Sequence, residues 1–247
     1  MQRTLFISDL HLTSERPAAN EALFAFLERE APSAQALYIL GDLFEYWIGD
    51  DDLADPLNAV VAGFLANTVR QGTPVFLMHG NRDFLIADAF CKAAGAQLIA
   101  DPTVVDLFGT RTLLMHGDTL CTDDADYQDW RRVCRGAEWQ AKFLAEPLEA
   151  RREQMLELRA RSEKDKRSKL SVVMDVNQHA VREVLQTYGC TRLIHGHTHR
   201  PAHHMLEVGV DARARQCERW VLPDWYRRGG YLEASATGAR LVSLPMG

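Results

Sequence analysis

The chain has 247 residues, 47% of them hydrophobic and 25% charged, a balance that suits a globular protein with a sizeable core. Its net charge of −6 argues against a general nucleic-acid binder, and no apolar run reaches the roughly 18 residues needed to span a bilayer. Five cysteines, odd in number and never spaced Cys-x-x-Cys, exclude a disulfide framework and a zinc knuckle, and they are assigned to packing.

The N-terminus shows no signal-peptide pattern and enters directly into a short apolar strand, Thr4 to Ser8, that ends in Asp9-Leu10-His11. A carboxylate and an imidazole at this spacing can chelate one cation if the backbone turns between them; taken alone, Asp9 reads better as a helix N-cap. A helix is expected from about Pro17 to Glu30, with Leu23, Phe26 and Leu27 on one face. The second strand, Ala36 to Leu40, closes on Gly41-Asp42, where glycine permits close approach. Asp50-Asp51-Asp52 reads as a solvated loop before a helix from Pro56 to Arg70. The third strand, Pro74 to Met78, delivers His79-Gly80-Asn81-Arg82-Asp83. Asn81 offers an amide oxygen to a cation, and Arg82 offers a planar fork to phosphate oxygens. Asp83 either orients a histidine ligand or pairs with Arg82, and His79 reads as a packed core residue.

A helix from Leu85 to Ala94 and two strands follow, the second being Thr110 to Met115, which delivers His116-Gly117-Asp118. Beyond a helix from Tyr127 to Arg135, the stretch from Ala137 to Lys169 interleaves apolar and basic residues with no strand pattern. By composition it is either a helical hairpin with solvated charge or a cap whose long basic stems line an apolar trough. A helix from Val172 to Tyr188 leads to the strand and glycine turn Leu193-Ile194-His195-Gly196-His197-Thr198-His199, from which His195 and His197 are expected to enter one pocket. His199, His203 and His204 are assigned to supporting or surface positions. Antiparallel strands are expected over His204–Asp211, Arg219–Pro223, Gly230–Ala234 and Arg240–Leu244, completing one domain over residues 1–247.

Five strand ends therefore carry ligand-type side chains: Asp9, His11, Asp42, Asn81, His116, His195 and His197. These exceed the needs of one transition metal and suit two octahedral metals that share a carboxylate, for which Asp42 is the natural bridge. Nitrogen and oxygen donors without thiolate point to Mn²⁺, Fe²⁺ or similar ions rather than structural zinc. Two such metals lower the pKa of a bridging water and stabilise charge at phosphorus during an in-line displacement.

The series Asp9-x-His11, Gly41-Asp42, Gly80-Asn81, His116 and Gly196-His197 resembles the calcineurin-like metallophosphoesterases. The resemblance implies an α/β (α+β) sandwich of two mixed sheets flanked by helices, with a helical lid insertion at about residues 137–169. It departs at Arg82, where many members carry histidine. Longer strings are similar to the UDP-2,3-diacylglucosamine hydrolase family within that group, among them Tyr38-Ile-Leu-Gly-Asp-Leu-Phe-Glu, Met115-His-Gly-Asp-Thr-Leu-Cys-Thr-Asp-Asp and Leu193-Ile-His-Gly-His-Thr-His-Arg-Pro.

That resemblance implies hydrolysis of UDP-2,3-diacylglucosamine to 2,3-diacylglucosamine 1-phosphate and UMP, by metal-activated attack of water on the α-phosphorus, in lipid A synthesis. It implies one metal, most simply Mn²⁺, among Asp9, His11, Asp42 and His197, and a second among Asp42, Asn81, His116 and His195. It places Asn81, Arg82, Asp124, Ser162, Lys166, Lys169 and His195 against substrate. The lipid substrate and the basic, apolar insertion imply peripheral association with the cytoplasmic face of the inner membrane, with no nucleic acid and no obligate protein partner. The competing readings are another phosphoesterase on the same fold, which needs no apolar lid, and a metal-dependent scaffold without turnover.

Overall fold

The computed structural model describes residues 2–168, 175–209, 214–226 and 229–245, the side chains of residues 161–168 excepted. β1 (Arg3–Ile7), β2 (Ala36–Leu40) and β3 (Val75–Met78) are apolar along almost their whole length, as parallel strands covered on both faces are. They pair in parallel, with Leu5 opposite Leu37 and Ile39 opposite Leu77. β4 (Gln97–Ile99), a strand too short to be read from sequence, extends this sheet beyond β3. At its other side the antiparallel hairpin β10 (Gly229–Ser235) and β11 (Gly238–Leu244) completes the order β11-β10-β1-β2-β3-β4. The second sheet runs β5-β6-β7-β9-β8 and consists of β5 (Thr103–Leu107), β6 (Thr110–Met115), β7 (Arg192–His195), β8 (Ala202–Val208) and β9 (Arg215–Val221). The expected antiparallel tail is corrected at one point: β9 pairs in parallel with β7.

Strand periodicity sorts the core into layers. Phe6, Leu40 and Met78 from the first sheet meet Leu114, Ile194 and Trp220 from the second between the sheets. The alternate residues Leu5, Ile7, Leu37 and Ile39 face α1 (Pro17–Arg29), α2 (Pro56–Arg70) and α3 (Asp88–Ala94), which contribute Leu23, Phe26, Val61, Leu65 and Phe90. On the far side, Leu113 and Leu193 pack against Val181 and Leu185 of α7 (Gln178–Thr187). This arrangement is the two-sheet sandwich that the motifs imply. All five cysteines are free and buried within it.

Two helices start later than their periodicity suggests because side chains cap them. The Asn177 carboxamide accepts the N–H groups of His179 and Ala180, so α7 begins at Gln178. The expected stretch before it, residues 172–174, lies outside the described residues. Likewise α3 begins at Asp88, with the Asp50 carboxylate accepting the Ala87 and Phe90 N–H groups at 3.0 and 2.9 Å.

The insertion forms α5 (Ala137–Leu144) and α6 (Leu148–Ser168), following α4 (Ala125–Cys134). Its attachment adds ion pairs to the reading of Asp50-Asp51-Asp52 as solvated, in which Asp51 stays exposed while Asp50 and Asp52 are half-buried. Arg151, only 2% exposed, donates to the Ile48 carbonyl and to both carboxylate oxygens of Asp51, and Arg152 reaches Asp52 at 2.8 Å. Arg151→Met keeps the stem and removes the fork. It is expected to lower stability by about 1–2 kcal/mol, read as a fall of roughly 2–8 °C in Tm by calorimetry. An unchanged Tm would show that these bonds do not hold the insertion. No helix of the described residues is long and apolar enough to cross a membrane.

Candidate metal centre

The carboxyl ends of β1, β2, β3, β6 and β7 lie along one edge of the sandwich, and each ends in a tight loop. Among the described residues, six non-glycine residues have positive φ, and five of them are Asp9 (55°), His11 (52°), Asp42 (53°), His197 (67°) and His199 (53°). Left-handed backbone at residues with a Cβ costs roughly 1–3 kcal/mol each and persists where the surroundings impose it, typically at a ligand site. Close packing makes two glycines necessary. A Cβ at Gly80 would collide with the Asp42 side chain and backbone, and one at Gly196 with the side chains of Asp9 and Ser8. Gly196 thus serves close approach rather than the turn conformation expected of it.

The side chains converge on two clusters that meet at Asp42. In the first, His199 Nε2 lies 3.2 Å from Asp9 Oδ1 and 3.3 Å from His11 Nε2, and His11 Nε2 lies 3.7 Å from Asp42 Oδ2. In the second, Asn81 Oδ1 lies 2.8 Å from His197 Nδ1 and 3.1 Å from His116 Nε2, which is 3.8 Å from Asp42 Oδ1. Asp42 therefore offers one oxygen to each cluster. The donor atoms of Asp9, His11 and His199 lie within 4.8 Å of one another, as do those of Asp9, Asp42 and His116.

Outer contacts aim these donors. His116 Nδ1 bonds the Leu40 carbonyl at 2.8 Å, which commits that nitrogen and turns Nε2 toward the cluster. The other oxygen of Asp9 accepts the Ser8 hydroxyl and the His197 N–H, at 2.6 and 2.9 Å. Asp83 takes neither role expected of it: its oxygens accept the N–H groups of Gly80, Asp42 and Leu43, at 2.8, 3.3 and 2.7 Å, pinning the β2 and β3 loops together. His79 bonds the Ile86 carbonyl and points away, as a packed residue should. Asp118 holds Tyr127 Oη and Arg131 Nε, at 2.6 and 2.7 Å, and so ties α4 to the centre.

His195 is corrected. Its Nδ1 bonds the Gly196 carbonyl at 2.8 Å, and its Nε2 lies 3.2 Å from Arg219 Nη1, so both ring nitrogens are occupied away from the cluster. Burial and then Arg219 push it down to about 3, a neutral imidazole. His199, assigned from sequence to a supporting position, stands in its place. The signal for it was available: His197-x-His199 repeats the spacing of Asp9-x-His11.

Charge in the centre calls for a cation. Burial pushes the Asp42 carboxyl up to about 7, an effect His116 opposes and Asp83 and Asp9 reinforce, and burial pushes His197 down to about 3. Against burial, Asp42 and Asp118 hold His116 up to about 9 and Asp9 raises His199, so protons stand where a cation would; the nitrogen and oxygen donors fit one or two divalent cations of the Mn²⁺ type.

Beside the first cluster the buried carboxylate of Glu45 gathers three guanidinium groups. Arg16 Nη2 and Arg159 Nε lie at 2.8 and 2.9 Å, Arg82 Nη1 at 3.7 Å, and Tyr226 Oη donates at 3.2 Å. Among the described residues, three guanidinium groups thus surround one carboxylate beside the centre. Sequence reasoning missed Glu45, Arg16 and Arg159, whose residue types are ordinary surface types until the fold gathers them. Of the remaining expected contacts, Asp124 caps α4 by accepting the Tyr127 N–H at 3.2 Å, and the Tyr127 ring stands 5.9 Å from that of His197. Ser162 and Lys166 lie on α6, their side chains outside the described residues, as is Lys169.

The chain belongs to the calcineurin-like phosphoesterase family, whose sequence profile matches residues 2–201. Within that class it is 51% identical over 235 residues to the UDP-2,3-diacylglucosamine hydrolase of Aromatoleum aromaticum, spanning 95% of this chain and 94% of that one. It is also 51% identical over 238 residues to the UDP-2,3-diacylglucosamine hydrolase of Cellvibrio japonicus, spanning 96% and 97% of the two chains. For the protein of that name from Xanthomonas axonopodis pv. citri the figures are 47% over 250 residues, 98% and 99%.

Proposed function

We propose that this chain hydrolyses the pyrophosphate bond of UDP-2,3-diacylglucosamine to give UMP and 2,3-diacylglucosamine 1-phosphate, a step of lipid A biosynthesis. The observation that carries the reaction type is Asp42 facing a nitrogen-and-oxygen cluster on each side. The 51% identity across nearly the whole chain supports the substrate. Asp9, His11, Asp42 and His199 would hold one divalent cation, and Asp42, Asn81, His116 and His197 the other, with Mn²⁺ suited to both sets. Such ions supply Lewis acidity at the phosphoryl oxygens and make water acidic enough to attack at neutral pH.

The chain's own residues do the rest. His116 presents Nε2 because Nδ1 is committed to Leu40, and Asp9 is oriented by Ser8 and the His197 backbone. Arg82, one-tenth exposed, steadies the diphosphate beside Arg16 and Arg159. The helical insertion serves as a lid: it exposes Leu144 and Leu156, and Arg159 ties α6 to Glu45 beside His11. A substrate with two acyl chains brings the protein to the cytoplasmic face of the inner membrane, where the basic helices meet anionic headgroups.

Turnover of UDP-2,3-diacylglucosamine with Mn²⁺ in ¹⁸O-water, with both products read by mass spectrometry, tests the reaction. Attack at the α-phosphorus puts the label in UMP and leaves the lipid phosphate unlabelled. Label in the lipid phosphate would overturn that geometry, and no turnover would overturn the substrate.

A further inference from the structure

The proposed reaction leaves the nucleoside half of its substrate without an assigned place, and the molecule contains a cavity of the right character. A space of about 660 Å³ opens beside His199, within the range that encloses small organic ligands. Pro201, Pro223, Tyr226, Leu241 and Val242 give it apolar walls. Among the described residues lining it, Asp224 alone carries a carboxylate and none is lysine or arginine. Tyr226 divides it from the arginine cluster: its hydroxyl donates to Glu45, and the Arg16 guanidinium lies 4.3 Å over its ring. Charge for a diphosphate thus stands on one side of Tyr226, and the Asp224 carboxylate among apolar walls on the other.

The loop that builds this wall is anchored to the metal centre. Leu222 N–H bonds the His195 carbonyl at 2.8 Å, Trp225 N–H bonds the Asp9 carbonyl at 3.0 Å, and the Trp225 side chain is fully buried. Asp224 Oδ1 accepts the Tyr226 N–H at 3.0 Å, which sets the carboxylate's orientation and leaves Oδ2 for an outside donor. An acyl chain has no donor to offer, whereas a uracil ring is flat, neutral and carries one acidic N–H between two carbonyls.

We infer that this cavity is the nucleoside subsite, with the uracil N3–H donating to Asp224, the ring between the apolar walls and the 5′-phosphate directed past His199 to the metal centre. The inference rests on the proposed reaction and adds its base specificity.

The test is calorimetric titration of the Mn²⁺-loaded protein with UMP, 3-methyl-UMP and ribose 5-phosphate. UMP is expected to bind about tenfold more tightly than 3-methyl-UMP, the worth of one hydrogen bond to a charged group. Ribose 5-phosphate, which lacks the base, is expected to bind more weakly than either. Asp224→Ala is expected to erase the difference between UMP and 3-methyl-UMP. Equal binding of those two by the unaltered protein, which needs no variant to fold, would overturn the subsite, as would a preference that survives Asp224→Ala. Turnover of the lipid nucleotide without base preference sinks the subsite and keeps the reaction; base preference without turnover does the reverse.

Discussion

Replacing His199 with alanine is expected to lower kcat/KM on UDP-2,3-diacylglucosamine by about a thousandfold or more and to reduce bound metal from about two ions per chain to about one. Its Nε2 is one of three donor atoms, with Asp9 Oδ1 and His11 Nε2, that lie within 4.8 Å of one another. Removing it leaves the first cation with too few protein ligands. His195→Ala is expected to keep the full metal content and activity within about tenfold. Its cost falls on folding, about 1–3 kcal/mol, because the buried Arg219 loses a partner. Metal analysis beside steady-state kinetics on both variants checks this, and the opposite pattern would return the ligand role to His195.

Asp42→Asn has the largest expected effect, because a single side chain serves both clusters. The amide keeps the volume and can still accept the Arg82 N–H, so the loop retains its shape. What disappears is the negative charge, and with it tight binding of both cations; kcat/KM is expected to fall by about ten-thousandfold. The metal-free protein should respond in the opposite direction. Burial raises the Asp42 carboxyl from 3.8 to about 7, so in the folded, cation-free chain its ionisation is disfavoured. Stability without metal is therefore present below the ordinary carboxylate range and is lost as pH rises from about 4 through about 7. The substituted amide cannot ionise, so the metal-free variant at pH 8 should melt at or above the temperature of the metal-free parent, while the parent gains more from added Mn²⁺. A variant that melts well below its parent without metal would show that Asp42 is needed for the fold itself.

The strands that position the centre were legible because β1, β2, β3, β6 and β7 are short apolar runs, each ending at a ligand-type residue. Asp9, His11, Asp42, Asn81, His116 and His197 could be named for the same reason. His195 misled because it sits at the end of β7, where strand alternation turns it toward Arg219, and sequence offers no way to see which side of the sheet the last strand residue faces. The left-handed conformations of His197 and His199 reverse the alternation just beyond it. Asp50-Asp51-Asp52 and Arg151 were illegible as partners because 100 residues separate the ion pair. Glu45 and Asp224 stayed hidden for a related reason, since a lone acid after an aromatic or a proline has no periodicity to mark it.

Asp9, Asp42 and Asn81 follow strands of one sheet, while His116, His197 and His199 follow strands of the other. A cation shared between Asp9 and His199 is therefore a reversible cross-link across 190 residues of chain. A permanent link of that span would restrict the unfolded chain by roughly 5 kcal/mol. The ion delivers its share only while it is bound, in proportion to its concentration over its dissociation constant. Metal supply would then govern how long each molecule survives as well as how fast it works, and a starved cell would clear the idle enzyme by proteolysis of its loosened sandwich.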